Sequence, residues 1–153
     1  MRMLVTLDGS AMSEIVLPAA VAMAERCRGE VLLYSVLHAA DIAYLSLLPD
    51  RSGVPPPADE TVVESEARLL RGIREMLTEK VKEFEERDIP ASTETDVGDP
   101  ASLIVDQARS WKADLIAMAT HGRSGITEQL MGSVSSKVLR SAVAPVLLVC
   151  PPR

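Results

Sequence analysis

The chain has 153 residues, 47% hydrophobic and only 3% aromatic, with a formal net charge of −6. That is one ordinary domain with enough apolar matter to build a core, so a disordered chain is excluded. The acidic balance speaks against a nucleic-acid surface, which needs a basic stripe, and the few aromatics leave little to stack single-stranded bases on.

Met3 to Leu7 is a continuous apolar run, as in a strand buried on both faces. Asp8-Gly9-Ser10 follows, and Ser10 or Ser13 is placed to cap a helix. Val16, Ala20, Met23 and Cys27 recur on one helical face, and Pro18 is tolerated only in a first turn, so this helix is expected from near Glu14 to its stop at Gly29. Val31 to Leu37 reads as a second buried strand. Residues 38–60 are expected to be irregular, because Pro49, Gly53 and Pro55-Pro56-Pro57 forbid a helix through them. A segment this long without regular structure suggests a flap, a lid or an interface arm.

Thr61 to Arg87 has the spacing of a long amphipathic helix. Leu70, Ile73, Leu77, Val81 and Phe84 form its stripe, and Glu64–Arg68 and Glu83–Arg87 are expected as supporting pairs one turn apart. Ala91 to Val97, polar and rich in threonine, suits an exposed edge strand. Asp99-Pro100 opens a helix that runs to about Trp111, with Asp as N-cap and Pro at the first helical position. Leu115 to Ala119 reads as a fourth strand, Val134 to Ala142 as a last helix and Val146 to Val149 as a fifth strand. The βαβαβαβαβ order implies an α/β fold, a single-domain, doubly wound five-stranded parallel sheet with helices on both faces.

Cys27 and Cys150 make neither a metal spacing nor a CxxC pair, and they read as buried or half-buried thiols. The start of the chain has no basic region followed by an apolar run, and no apolar run reaches the ~18 residues of a membrane helix. A cytoplasmic location and no membrane partner are therefore expected.

The segment with the most chemistry is Ala119-Thr120-His121-Gly122, followed nine residues later by Gly132-Ser133. It joins a strand to a helix. Glycine lets backbone come close to a ligand, and the first N–H groups of a helix have no internal partner and carry partial positive charge. Phosphate fits such a place. It is not a Walker A loop, since no Gly-Lys-Ser/Thr is present and Lys137 lies beyond the helix start. His121 has no second catalytic group in view and reads as a loop or anion-contact residue. Arg123 is either a contact for a terminal phosphate or a solvated side chain. No carboxylate cluster suggests a dedicated metal site.

These residues resemble the universal stress protein family, whose nucleotide-binding members carry Gly-x-x-Gly, nine residues, then Gly-Ser or Gly-Thr. Here Gly122 and Gly132-Ser133 match, and Ala119 replaces the first glycine. Asp8-Gly9-Ser10 after the first strand and the terminal Ala144-Pro145-Val146-Leu147-Leu148-Val149 extend the likeness over nearly the whole chain. The resemblance implies strand order 3-2-1-4-5 and a ligand crevice between the first and fourth strands, where that order reverses. It implies ATP or another adenine nucleotide as ligand, with Mg²⁺ carried on the phosphates. Asp8 would meet the ribose or base. Thr6 and Val36 would wall the adenine slot, with Met118 and Ala119 beside it. Gly122, Gly132, Ser133, Val134 and Ser135 would hold the phosphates, with Arg123 in reach. It also implies a stress-response regulator with at most slow ATP hydrolysis, and a homodimer paired through Val146–Val149.

A second reading stays open: the same fold, free of nucleotide, acting as a dimeric interaction module, with Ala119 as its sequence support. A phospho-receiver reading fails on the strand ends, since Leu7 precedes Asp8 and the middle strands end in Val36-Leu37 and Val97-Gly98. A flavin binder rests on fold analogy alone.

Overall fold

The computed structural model describes residues 1–50, 52–120 and 132–151. In chain order its elements are β1 (Arg2–Thr6), α1 (Leu17–Cys27), β2 (Glu30–His38), α2 (Ile42–Leu45), α3 (Val62–Glu85), β3 (Ala91–Gly98), α4 (Pro100–Ser110), β4 (Leu115–Ala119), α5 (Ser133–Ser141) and β5 (Val146–Val149). The strands form one parallel sheet in the expected order β3-β2-β1-β4-β5.

Successive side chains of a strand point to opposite faces, and here both faces are covered. Met3, Val5, Leu7, Val31, Leu33 and Ala117 meet α1 and α3 on one face. Leu4, Leu32, Tyr34, Ile116 and Met118 meet Ala101, Ile104 and Ala108 of α4 and Val138 of α5 on the other. This is why the inner strands read as unbroken apolar runs. Leu77 and Phe84 of α3 are fully buried, and each side chain contributes roughly 1.5–3 kcal/mol of burial.

Several local expectations change. A 3₁₀ turn, Ser13–Val16, precedes α1 and absorbs the start expected at Glu14, with Pro18 in the first turn of the α-helix. Arg28, at φ 48°, takes the left-handed position that ends α1, while Gly29 lies where a Cβ would meet the Met1 carbonyl oxygen at 3.1 Å. The buried stripe of α1 is Leu17, Ala20, Val21 and Ala24, so Cys27 falls outside it. Cys27 and Cys150 are both exposed, contrary to the buried or half-buried thiols expected.

Segment 38–60 is not wholly irregular. A 3₁₀ turn, Ala39–Asp41, and the single turn of α2 form before Pro49. The pairs expected along α3 are also replaced. Glu64 folds back on Thr61 in a capping box, Arg68 pairs with Glu60 at 2.8 Å, and Arg87 pairs with Glu25 at 3.0 Å. The α3 stripe is buried at Leu77, Val81 and Phe84, while Leu70 and Ile73 are half-buried. Among the described residues, no helix is long and apolar enough to cross a membrane.

Candidate functional site

Strand lengths shape the carboxyl edge of the sheet. Pairing of β1 with β4 ends at Val5 and Ala117, and Thr6, the last residue of β1, pairs with Tyr34. β2 continues to His38 and β4 to Ala119. The edge is therefore notched at β1, between its two neighbours, where the strand order reverses. That is where open α/β sheets bind ligands.

Asp8 stands in this notch, just past β1. Its Oδ1 accepts from the Ser10 N–H at 2.9 Å and the Ser10 hydroxyl at 2.6 Å. The Asp8 N–H donates to Ser13 Oγ at 3.3 Å, and the Ser13 N–H donates back to Ser10 Oγ. Gly9, at φ 81°, makes this tight return possible without strain. Partial burial pushes the Asp8 carboxyl upward, but the bonds from Ser10 and Ser13 outweigh it and hold its pKa below the ordinary value. Asp8 is thus an ionised, oriented acceptor. Ser10 and Ser13, read from sequence only as helix caps, are what orient it.

Strand alternation sorts the other candidates by face. Thr6, Met118 and Thr120 share the face of Leu4 and Ile116, with α4 and α5, and Val36 and Val134 are half-buried against that same core. Ala119 lies on the opposite face with Ala117, paired with Val149. By strand alternation the Ala119 methyl points away from the α5 face.

The helix after β4 begins with Gly132 as N-cap. Among the described residues it has no side-chain cap, and its first turn holds no acidic residue. Ser133 is exposed, but it does not take the capping position. Ser135 is 3% exposed, and its hydroxyl donates to the Gly132 carbonyl at 3.0 Å. That hydroxyl is committed within the first turn, so an anion at this end would meet chiefly backbone N–H groups. A Cβ on Gly132 would lie 3.6 Å from Ser135 Oγ, an ordinary contact.

Thr120, just past β4, is 5% exposed, and its Oγ1 has no hydrogen-bond partner among the described residues. A buried hydroxyl left unpaired costs roughly 1–3 kcal/mol, so such groups call for an explanation. The uncapped helix start and the orphaned hydroxyl lie on the same face at the same edge, and both suit a polar, anionic ligand. His38 closes the far side of the edge, its Nδ1 accepting from the Ala40 N–H at 3.2 Å. Gly122, Arg123 and His121 lie outside the described residues. Among the described residues no group of three or more His, Cys, Asp or Glu is placed to hold a metal ion.

The model of the universal stress protein family matches residues 1–149. The chain is 30% identical over 148 residues to universal stress protein YxiE of Bacillus subtilis, covering 97% of each. It is 35% identical over 147 residues to universal stress protein Rv2005c of Mycobacterium tuberculosis, covering 95% of this chain but 44% of that one. Among solved structures it superposes on MJ0577 with a TM-score of 0.78 at 26% identity, covering 99% and 96% of the two chains. It also superposes on a universal stress protein in complex with cAMP, with a TM-score of 0.64 at 21% identity and coverage of 99% and 98%.

Proposed function

The chain belongs to the universal stress protein family, and from that premise we propose that it binds an adenine nucleotide, ATP foremost, at the carboxyl ends of β1 and β4. The observation that carries the proposal is the α5 N-terminus, which follows β4 at the carboxyl edge of the sheet and has no side-chain cap among the described residues. A phosphate there answers the orphan donors and the helix dipole together. The cAMP complex of a structural neighbour lends the adenine part of the reading support.

In this proposal Asp8 accepts from a ribose hydroxyl, for which its ionised, pre-oriented carboxylate is suited. Thr6, Val36 and Met118 border the adenine, and Ala119, with its methyl on the other face, leaves the α5 side open. Gly122, Gly132, Ser133, Val134 and Ser135 hold the phosphates, largely through backbone N–H groups, with Arg123 as a further phosphate contact. Mg²⁺ would enter on the phosphates with its own water. No residue is assigned a catalytic role, so the nucleotide acts as a regulatory ligand in a stress response.

We further propose a homodimer through β5. This edge strand is paired on one side by β4, and its four apolar residues are all half-exposed, which invites a twofold mate. Light scattering at micromolar concentration gives twice the chain mass if this is right and the monomer mass if it is wrong.

The nucleotide proposal is tested by mass spectrometry of small molecules released from gently purified protein, with calorimetry against ATP and Mg²⁺. Gly132→Ala is the informative variant. Its Cβ fits the structure, so the fold persists and a loss of binding reports close approach of the ligand. Absence of nucleotide and of heat would leave the dimeric, nucleotide-free interaction module as the reading.

A further inference from the structure

Among the described residues, large exposed apolar side chains concentrate in one stretch. Tyr44 is 66% exposed, Leu47 73%, Val54 57%, Val62 73% and Val63 78%. Single exposed apolar residues are ordinary, but several in one stretch call for an occupant. The stretch is held in place. Arg68, on α3, donates to both carboxylate oxygens of Glu60 at 2.8 and 3.0 Å and to the Ser46 carbonyl at 3.0 Å, and Ser65 Oγ donates to Glu60 at 2.7 Å. Glu60 and Arg68 are mostly buried, with side chains 9% and 19% exposed. A planar guanidinium gripping both ends of residues 46–60 presents their apolar side chains at low entropic cost.

The charge around these side chains is mainly acidic, with Arg68 of α3 paired to Glu60. Residues 39–66 carry Asp41, Asp50, Asp59, Glu60, Glu64 and Glu66 against the single cation Arg51. A cleft of about 800 Å³ is lined by Asp50, Asp59, Glu60, Glu64 and Glu75 against the two cations Arg68 and Arg71. Bonds from the Ser52 hydroxyl and the Val54 N–H hold the Asp50 carboxyl below its ordinary pKa, so it is charged at neutral pH. A second copy would bring the same carboxylates against these and be repelled, and an anionic lipid surface would be repelled likewise. The occupant that fits is apolar and basic.

We infer that residues 44–63, clamped by Arg68 on α3, form a docking surface for a protein segment that combines apolar side chains with lysine or arginine. The surface shares no residue with the proposed nucleotide site.

The test uses the full chain and a fluorescent amphipathic peptide with leucines on one helical face and lysines on the other, beside a twin with glutamate for lysine. The lysine peptide should bind saturably, weaken with added salt, and bind at least about tenfold better than the glutamate twin. Leu47→Asp with Val63→Asp should weaken it by about tenfold or more, while Leu139→Asp, at an exposed apolar residue of α5, leaves it unchanged. Asp59→Lys with Glu66→Lys should reverse the preference between the peptides. Thermal melts check that each variant is folded. Equal binding of both peptides, or binding indifferent to Leu47→Asp with Val63→Asp in a folded protein, would overturn the inference. So would a self-association of the wild-type chain that this double variant abolishes, since a second copy would then be the occupant.

Discussion

Two helices begin at the carboxyl edge of the same sheet, α4 after β3 and α5 after β4, and they are finished in opposite ways. At α4, Asp99 accepts from the Ser102 N–H at 3.0 Å and the Ser102 hydroxyl at 2.8 Å, and Pro100 removes a donor from the first turn. At α5, Gly132 has no side chain to accept with, and Ser135 turns its hydroxyl to the Gly132 carbonyl, not to an N–H. The two starts are bridged by Lys137, whose Nζ lies 3.7 Å from Asp99 Oδ1. One helix start is capped by its own side chains, and the other, among the described residues, has no side-chain cap. Only the second stands next to the strand-order reversal, where a ligand can reach it.

The strongest way to break the contrast is to make α5 resemble α4. Gly132→Asp puts a capping carboxylate where phosphate would sit. ATP affinity by calorimetry should fall by about a hundredfold or more, while the melting temperature rises by about 1–2 °C. Asp8→Ala removes the oriented acceptor of the notch and should cost about tenfold in ATP affinity by the same measurement.

Thr120→Val sharpens the contrast on the strand side. It removes the orphaned hydroxyl, so denaturant unfolding should show stability raised by about 1 kcal/mol, with ATP affinity lowered by about threefold if the hydroxyl meets the ligand.

Asp99→Ala is the converse control. It should lower the melting temperature by about 2–4 °C at neutral pH and leave ATP affinity within about twofold. Bonds from the Ser102 hydroxyl and N–H, then Lys137 and His38, hold the Asp99 carboxyl below its ordinary pKa. Its stabilisation is therefore complete above the unfolded pKa and is lost as pH falls through the folded one. The gap between wild type and variant should close below about pH 4. A gap unchanged at pH 3 would mean the carboxylate is not the source.

What was legible in the sequence was what local chemistry dictates. Asp99-Pro100 announced its helix because cap and first turn are adjacent in the chain. The strands showed themselves because both faces are buried, and Asp8 could be placed beside β4 once strand order was in hand. Other features depend on partners that a local pattern does not reveal. Arg68 has Glu64 one turn away, yet it grips Glu60, because Thr61 claims Glu64 for the capping box. Cys27 fits a helical stripe offset by a residue from the one that packs. The Ser135 hydroxyl bonds the Gly132 carbonyl, a local bond open to any serine in a helix's first turn, which the phosphate motif does not reveal. Thr120 lies inside the motif, and only packing shows that its hydroxyl is buried with no partner among the described residues.

The most direct measurement is an amide ¹⁵N–¹H spectrum of the protein titrated with ATP and Mg²⁺, with adenosine as the phosphate-free control. A phosphate seated at α5 should shift the amides of Ser133, Val134 and Ser135 with ATP and much less with adenosine, while Ser102 at the start of α4 stays in place. Equal shifts at both helix starts, or ATP shifts that leave Ser133 to Ser135 untouched, would contradict a phosphate site at the uncapped helix.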